Sequence, residues 1–250
     1  MSDKSLSSLS RMLSVLDLFS DSRLTWTAEA ITEALQVSLP TGYRYVKMLT
    51  DAGLLQRAAD CRYVLGPRII VLDHYIRMAD PVLQHAQPFM QELVEKTGLD
   101  CVISGLYGEQ LIDTHREFGQ SPAALSYGRG RPRPLFLGGA PKVILACLAP
   151  ARLHRVFDGH AAEIAQAGLP TDWPGFRKYF SAIRKRGSYF SNGELEPNLA
   201  ALAAPLQKGD GTLLGAISLV TSVDRMAVID QHKLTQRVVR AAQDITARIS

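Results

Sequence analysis

Four side chains that can hydrogen-bond to nucleic acid lie within seven residues of each other: Thr41, Tyr43, Arg44 and Lys47. Among and after them, Gly42, Val46 and Leu49 step by four and three residues, which is the spacing of one buried helix face. The four polar side chains then share the opposite side. An arginine pairs with guanine O6 and N7, a threonine meets a thymine methyl group or a phosphate, and a lysine contacts a phosphate. The spacing therefore predicts a helix with a packed side and a side able to contact DNA.

Local signals set the ends of this helix. Ser38 is a candidate N-cap, Pro40 falls in the first turn where a missing N–H costs nothing, and Gly53 supplies the left-handed residue that ends a helix. A shorter helix, of about eight residues, begins after Thr27, and residues 36–37 form the turn between the two. A short helix, a tight turn and a longer helix make the layout of a helix-turn-helix, whose second helix enters the major groove.

A small hairpin is predicted after the second helix. Residues 54–57 and 62–65 have the composition of two strands around a short turn, and a Gly-Pro pair closes the unit. Arg57 and Arg62 then stand where the wing of a winged helix lies along the DNA backbone or in the minor groove.

Basic residues concentrate in the same region. The formal charge of the chain is +4, which permits contact with nucleic acid without favouring it. Residues 40–70 hold most of that surplus, five bases against two acids: Arg44, Lys47, Arg57, Arg62 and Arg68 against Asp51 and Asp60. The alternative is that these are ordinary solvated charges on a small helical domain. The helix layout together with the basic hairpin favours DNA binding.

Helical patterns flank this region on both sides. Apolar residues from Leu9 to Phe19 recur at three- and four-residue steps and predict one amphipathic helix. Arg68–Ala79 is predicted as a connecting helix, and a further amphipathic helix runs from Val82 to near Gly98.

The rest of the chain mixes strand and helix patterns without an internal repeat. Strands are predicted at residues 101–106, 111–116, Leu199–Gln207 and 213–221, and helices at 134–148, 172–186 and 228–249. The turn sequence KGDG at 208–211 is a strong hairpin signal. Hairpins in place of βαβ units predict an antiparallel sheet with helices packed on it.

Composition narrows the classes of function. The chain is 46% hydrophobic and 21% charged, as in globular proteins, and no charge-free run is long enough to span a membrane. Without a secretory signal pattern, a cytoplasmic location is expected. The three cysteines, at 61, 101 and 147, are too widely spaced for a zinc knuckle or a redox pair, so we expect reduced thiols. No catalytic motif, metal-ligand set or cofactor-binding loop is recognisable, so we expect no enzyme activity, metal or cofactor.

Ordered motifs along nearly the whole chain resemble IclR-type bacterial transcription regulators. In the N-terminal part these are the segment 9–20, TGYRYV at 41–46 and YVLG at 63–66. Farther on they are PLFLGGAPK at 134–142, RKRG at 184–187, SNGE at 191–194 and LAAPL at 202–206. Their order and spacing are compatible with the family, whereas a helix-turn-helix alone fits many families.

The resemblance implies a fold of the α+β class, in which an N-terminal winged helix-turn-helix is joined by a helix to a GAF-like antiparallel-sheet sensor domain. It divides the chain into a DNA-binding domain at 1–67, a linker helix at 68–81 and an effector-binding domain at 82–250. Through the linker helix, an effector would bias the arrangement of the DNA-binding domains.

The resemblance also implies partners. Members of the family bind near-palindromic double-stranded operators as homodimers or homotetramers and sense a small molecule. Symmetry supports this independently, because one small helix-turn-helix reads few base pairs and two copies on paired half-sites are the usual solution. The predicted DNA-binding residues are Ser38, Thr41, Tyr43, Arg44, Lys47, Arg57 and Arg62. The alternative function is a small-molecule-sensing protein-interaction module that binds no DNA.

Effector contacts follow from the resemblance and from strand alternation. On the strand at 213–221 we assign the face of Leu214, Ala216, Ser218 and Val220 to the pocket, because two of these positions match ligand positions of the family, and we assign Leu213 to the other face. Gly138 and Gly139, at a helix start, offer N–H groups to an anion, which suggests a small organic acid, with aromatic acids among the candidates; the alternative is that they only allow close packing. Glu194 is expected to order a loop or line the rim. The predicted effector-binding residues are Leu135, Gly138, Gly139, Glu194, Ala216, Ser218 and Val220.

Overall fold

The structure, a computed structural model, describes residues 7–249, which divide into two compact units between Asp80 and Pro81. The ends of the predicted domains, at residues 1–6 and 250, lie outside the described residues. The connecting helix predicted as a separate segment belongs to the first unit.

The N-terminal unit is a winged helix-turn-helix. Its elements in chain order are α1 (Ser8–Leu13), a 3₁₀ turn (Leu16–Leu18), β1 (Trp26–Thr27), α2 (Ala28–Ala34), α3 (Leu39–Asp51), β2 (Leu55–Arg57), β3 (Arg62–Leu65) and α4 (Arg68–Ala79). The three strands form an antiparallel sheet in the order β1-β3-β2. The sequence prediction of this fold class is confirmed.

Caps and turn glycines fix the ends of these elements. The Thr27 side chain accepts from the Ala30 N–H at 3.2 Å and starts α2. Gly53 adopts φ 73° directly after the C-cap of α3, a conformation that favours glycine. Gly66 closes the wing against the same turn, since a Cβ atom there would lie 2.1 Å from the Gly53 carbonyl oxygen.

The predicted first helix is interrupted, so the expectation of one helix up to Phe19 is wrong. Helix α1 ends at Leu13, and the chain continues as a 3₁₀ turn. The Ser14 hydroxyl donates to the Arg11 carbonyl at 2.9 Å, and serine in this position competes with the helical backbone for hydrogen bonds.

The C-terminal unit is built on one antiparallel sheet of six strands in the order β6-β5-β4-β9-β8-β7. Its strands are β4 (Asp100–Tyr107), β5 (Gln110–Glu117), β6 (Pro132–Arg133), β7 (Tyr189–Asn192), β8 (Leu199–Gln207) and β9 (Leu213–Ser222). Its helices are α5 (Pro81–Thr97), α6 (Gly139–Cys147), α7 (Pro150–Gly159), α8 (Ala161–Gln166), α9 (Trp173–Arg186), α10 (Val223–Ala227) and α11 (Gln231–Arg248). The antiparallel sheet with helices on it is as predicted.

Helices cover both faces of this sheet. On one face α5 and α11 pack against inward side chains such as Leu202, Ile217 and Leu219. On the other face α6 and α9 pack with Ala203 and Ala216 into a second apolar cluster. The sheet is thus the middle one of three layers, and the residues that line the candidate ligand site come from its strands and the adjoining loops.

A bulge in β9 corrects the predicted alternation of this strand. Leu206 pairs with Gly215 and Gln207 pairs with Leu213, so Leu214 is the extra residue. As a result Leu213 packs with the cluster of α6 and α9, whereas Leu214 packs with that of α5 and α11. The assignment of Leu214 to the pocket face was therefore wrong, because one extra residue reverses the side on which the preceding residues lie.

Two helix starts also differ from the predictions. Helix α6 begins at Gly139, not at residue 134, because Gly138 has φ 95° and cannot lie within a helix. The closing helix begins at Gln231, not at 228, because the Asp230 side chain caps it by accepting from the Lys233 N–H at 3.1 Å. The sequence pattern did not predict α7, α8, α10, β6 or β7 as separate elements.

No helix among residues 7–249 is both long and apolar enough to cross a membrane.

Candidate nucleic-acid interface and ligand cavity

Helix α3 has one packed side and one exposed side. Gly42, Val46 and Leu49 are buried against α2 and the wing, together with Tyr45. Tyr43, Arg44 and Lys47 are exposed, and Thr41 is half-buried. The helix therefore presents to solvent the polar residues that the spacing assigned to that side.

The exposed side chains of α3 differ in whether neighbouring residues bind them. The Tyr43 hydroxyl donates to the Glu29 carboxylate on α2, and this hydrogen bond raises the pKa of Tyr43 and lowers the pKa of Glu29. Lys47 forms an ion pair with Asp51 at 2.9 Å. The Arg44 guanidinium lies 5.9 Å from the centre of the Tyr45 ring, a loose contact that leaves its donors toward solvent.

A groove of about 420 Å³ runs between α3 and the wing. Four of the predicted DNA-binding residues line it, namely Tyr43, Arg44, Lys47 and Arg57. Hydrogen-bond donors of α3 and of the wing thus lie along one exposed strip of the N-terminal unit.

The remaining three predicted residues lie at the edges of this strip. The Ser38 and Thr41 hydroxyls bond each other at 2.9 Å, so Ser38 is at the N-cap position of α3 without capping a backbone N–H. Arg62, on β3, donates to the Thr25 hydroxyl at 3.0 Å, which points it away from Arg57. The structure therefore brings four of the seven residues into one groove and holds three beside it.

The C-terminal unit contains a small, partly enclosed cavity of about 40 Å³, lined by residues of β4 to β9 and of the loops that follow β5 and β7. Its apolar wall consists of Val102, Leu125, Leu195, Leu199, Ala200, Ala201 and Val220, and its polar residues are Asp113, Tyr127, Arg133, Ser191 and Glu196. Gly138, at the start of α6, also lines it. A mainly apolar wall with a few polar groups is typical of a small-molecule site.

A buried ion pair forms part of the cavity wall. Arg133 Nη1 donates to both carboxylate oxygens of Asp113, at 2.9 and 3.1 Å, and the Ser104 hydroxyl donates to the same carboxylate at 2.7 Å. The sequence pattern did not predict the Asp113–Arg133 ion pair. The available signal was that Asp113 lies two residues after Leu111, on the buried side of a strand.

A second buried polar cluster fixes the start of α6. The Glu194 carboxylate accepts from the Gly138 N–H at 3.2 Å, from Lys142 Nζ at 3.0 Å and from the Tyr189 hydroxyl at 2.8 Å. Burial raises the pKa of Tyr189, and its hydrogen bonds with Tyr179 and Glu194 raise it further, so Tyr189 stays a neutral donor. Glu194 thus already occupies the N–H group of Gly138 that the sequence offered to an effector anion.

The predicted effector residues fall into three groups. Gly138 and Val220 line the cavity. Leu135 and Ala216 lie in the apolar cluster of α6 and α9, and Gly139 packs on Ala203, with a Cβ atom on Gly139 falling 3.1 Å from the Ala203 Cβ. This contact favours the close-packing alternative for Gly139.

Ser218 and Glu194 make up the third group, beside the cavity. The Ser218 hydroxyl is buried and has no hydrogen-bond partner among residues 7–249. Glu194 accepts from the N–H of Gly138, at the start of α6. Among the same residues no group of three or more His, Cys, Asp and Glu side chains is arranged to hold a metal ion.

Family models match both units of the chain. The model described as "Bacterial transcriptional regulator IclR C-terminal" matches residues 74–247, and the "IclR helix-turn-helix domain" matches residues 8–59. Together they account for most of the described residues.

Similar proteins match this chain over most of their own length and of its length. The chain is 23% identical to the HTH-type transcriptional regulator XynR of Escherichia coli over 223 residues, 88% of each chain. Its fold is similar to that of an IclR transcriptional regulator from Alicyclobacillus acidocaldarius, with TM-score 0.77, 23% identity and 98% of each chain covered. It is also similar to an IclR homologue from Microbacterium hydrocarbonoxydans complexed with 4-hydroxybenzoate, with TM-score 0.76, 20% identity, and 97% and 99% of the two chains covered.

Proposed function

Since this chain belongs to the IclR family of DNA-binding transcription regulators, we propose that a small organic acid bound in its C-terminal unit controls how tightly it holds its operator. Aromatic acids are the class to test first. The family relatives are transcription regulators and not enzymes, and the alternative of a sensing module that binds no DNA has no support.

Operator sequence is read by the exposed side of α3. Arg44 pairs with a guanine, and Thr41 and Tyr43 contact neighbouring bases or phosphates. Lys47 and Ser38 contact phosphates of the DNA backbone. Arg57 and Arg62 of the wing contact phosphates on either side of the hairpin. The observation that carries this proposal is the groove in which Tyr43, Arg44, Lys47 and Arg57 come together.

The effector binds in the cavity that residues of β4 to β9 line. Its support is the combination of an apolar wall with a buried arginine, and the complex of a similarly folded protein with 4-hydroxybenzoate. A cavity of about 40 Å³ is much smaller than the roughly 300 Å³ of an ordinary ligand pocket, so binding must displace side chains such as Leu125, Tyr127 and Leu195. That displacement gives the ligand a conformational effect to transmit.

The working unit is a homodimer or homotetramer on a near-palindromic operator. Helix α4 supports this proposal because none of its residues is buried, although much of it is apolar. Ile70 is 75% exposed, and Tyr75 and Ile76 are each 62% exposed. A helix with so many exposed apolar side chains and no buried one favours a covering partner, for which we propose the same helix of a second copy.

Helix α4 also carries the coupling. It directly follows the wing, and a single residue, Asp80, separates it from α5, the first helix of the C-terminal unit. An effector shifts operator affinity only if it binds one arrangement of the paired DNA-binding units better than another. A protein that controls chromosomal operators works beside the chromosome, and we propose a cytoplasmic location for that reason.

The test begins with operator selection from sheared genomic DNA of the source organism, followed by footprinting. Fluorescence anisotropy then measures affinity for the selected fragment while organic acids and their amides are titrated. Binding of one preferred site and a change in its affinity with an acid would support the proposal. Equal affinity for all fragments would overturn it.

A further inference from the structure

Arg133 in the cavity wall uses only part of its hydrogen-bonding capacity on its ion pair. Its side chain is 10% exposed and that of Asp113 is 4% exposed, so both charges are out of water. The two bonds to Asp113 leave from a single nitrogen, Nη1. Asp113 is held in turn by Ser104, so the pair is fixed from the side away from the free part of the guanidinium.

The other edge of the guanidinium is ready for a ligand. Arg133 Nε is buried and has no hydrogen-bond partner among residues 7–249. Nε–H and the adjacent Nη2 form a planar fork that matches a carboxylate in two parallel hydrogen bonds. An unsatisfied donor on a buried charged group is costly, so this edge gains from any oxygen acceptor that reaches it.

The side chain that carries this fork is one of those that line the cavity. Arg133 and Gly138 both line it, and a Cβ atom on Gly138 would fall 3.3 Å from Arg133 Nη2. Close approach at this point requires the glycine, which gives Gly138 a role besides starting α6. The apolar Val102 and Val220 line the same cavity.

We propose that the Nε–Nη2 edge of Arg133 binds the carboxylate of the effector, while Asp113 and Ser104 hold the guanidinium in position. The effector is a monocarboxylic acid with an apolar or aromatic body. This inference rests on the proposed control by an organic acid and names the residue that recognises the acidic group.

Competing anion positions favour Arg133. The Gly138 N–H at the start of α6 and Lys142 both already bind Glu194. Of the residues that line the cavity in the described chain, Arg133 carries the positive charge, whereas Asp113 and Glu196 carry negative ones. A second carboxylate on the ligand would meet these acids, so dicarboxylates are disfavoured.

The experiment uses calorimetry of the full chain with 4-hydroxybenzoate, benzoate and phenylacetate, and with 4-hydroxybenzamide as the uncharged match of the first. We expect wild type to bind at least one of the acids and to bind the amide at least about tenfold more weakly than 4-hydroxybenzoate. Arg133→Lys keeps the charge and the pairing with Asp113 but cannot form the fork, and should weaken acid binding by about tenfold or more.

A second variant distinguishes a loss of acid binding from a loss of the folded structure. Ser104→Ala, Asp113→Leu and Arg133→Leu together replace the buried pair and the hydroxyl that donates to it by apolar side chains, an exchange that often preserves stability. It should keep the melting temperature and lose the preference for the acid over the amide. Arg155→Leu, on the exposed side of α7, is the control and should bind like wild type.

The outcomes separate this inference from the proposed function. If acids bind and change operator affinity but both Arg133 variants bind them as wild type does, the role of Arg133 is overturned and acid control stands. If wild type binds none of the acids, acid control is overturned together with this inference.

Discussion

Gly42 of α3 lies directly against Thr32 of α2, so closely that a Cβ atom on Gly42 would stand 1.9 Å from Thr32 Oγ1. Thr32 is itself buried and donates to the Ala28 carbonyl at 2.7 Å. The two helices of the helix-turn-helix therefore cross at a point where one of them has no side chain, and the angle of α3 to the groove depends on that contact.

Gly42→Ala should destabilise the N-terminal unit. Alanine gains about 1 kcal/mol in helix propensity over glycine. A Cβ atom only 1.9 Å from Thr32 Oγ1 costs more, since overpacking a core destabilises a protein by roughly 1–3 kcal/mol and this clash belongs at the upper end of that range. Thermal unfolding followed by circular dichroism, together with operator binding, checks this. Adding Thr32→Ala removes the clashing hydroxyl and should restore part of the loss; an unchanged melting profile of the single variant would contradict the packing.

Arg44→Ala should weaken operator binding by about 1–3 kcal/mol and relax the preference at one base pair, because a bidentate guanine contact is lost. Arg62→Ala should instead weaken all DNA sequences alike and reduce the salt dependence by about one phosphate contact. Gel shifts with operator variants at two salt concentrations distinguish the two. A gel shift that Arg44→Ala leaves unchanged would mean that α3 is not the reading helix.

Glu194→Gln should destabilise the C-terminal unit by about 3–5 kcal/mol, because Lys142, only 3% exposed, loses its anionic partner while remaining buried. Lys142→Met combined with Glu194→Gln leaves no buried charge and should be less destabilised than the single variant. Urea unfolding of both checks the order. A single variant as stable as wild type would show that Lys142 reaches another acceptor.

One of the three thiols should react in the native protein. Cys61 is exposed in the wing, whereas Cys101 and Cys147 are buried, and burial raises the pKa of both buried thiols and keeps them protonated. Ellman's reagent at pH 8 should therefore titrate one thiol before unfolding and three in guanidinium chloride. Rapid reaction of a second thiol in the native state would contradict the packing of β4 or α6.

The N-terminal unit was predictable in detail because its signals are local. A cap at Thr27, a left-handed glycine at Gly53 and a helical period between them fix the helix-turn-helix without reference to distant parts of the chain. The break after Leu13 was missed because it depends on which hydrogen bond the Ser14 hydroxyl makes.

The C-terminal unit was predictable in class but not in register. Strand periods gave an antiparallel sheet, yet the extra residue Leu214 is visible only once β8 and β9 are paired. Asp113 and Arg133 are 20 residues apart and meet only because β5 and β6 are neighbours, so spacing alone could not join them. A charged residue on the buried side of a strand was the one signal of that pair.

The most direct test of the account measures operator affinity and acid binding on the same protein. Fluorescence anisotropy with the selected operator should show a change of several-fold when 4-hydroxybenzoate or another acid that calorimetry shows to bind is saturating, and no change with the corresponding amide. Operator affinity that stays the same with and without a bound acid would contradict control by the C-terminal unit.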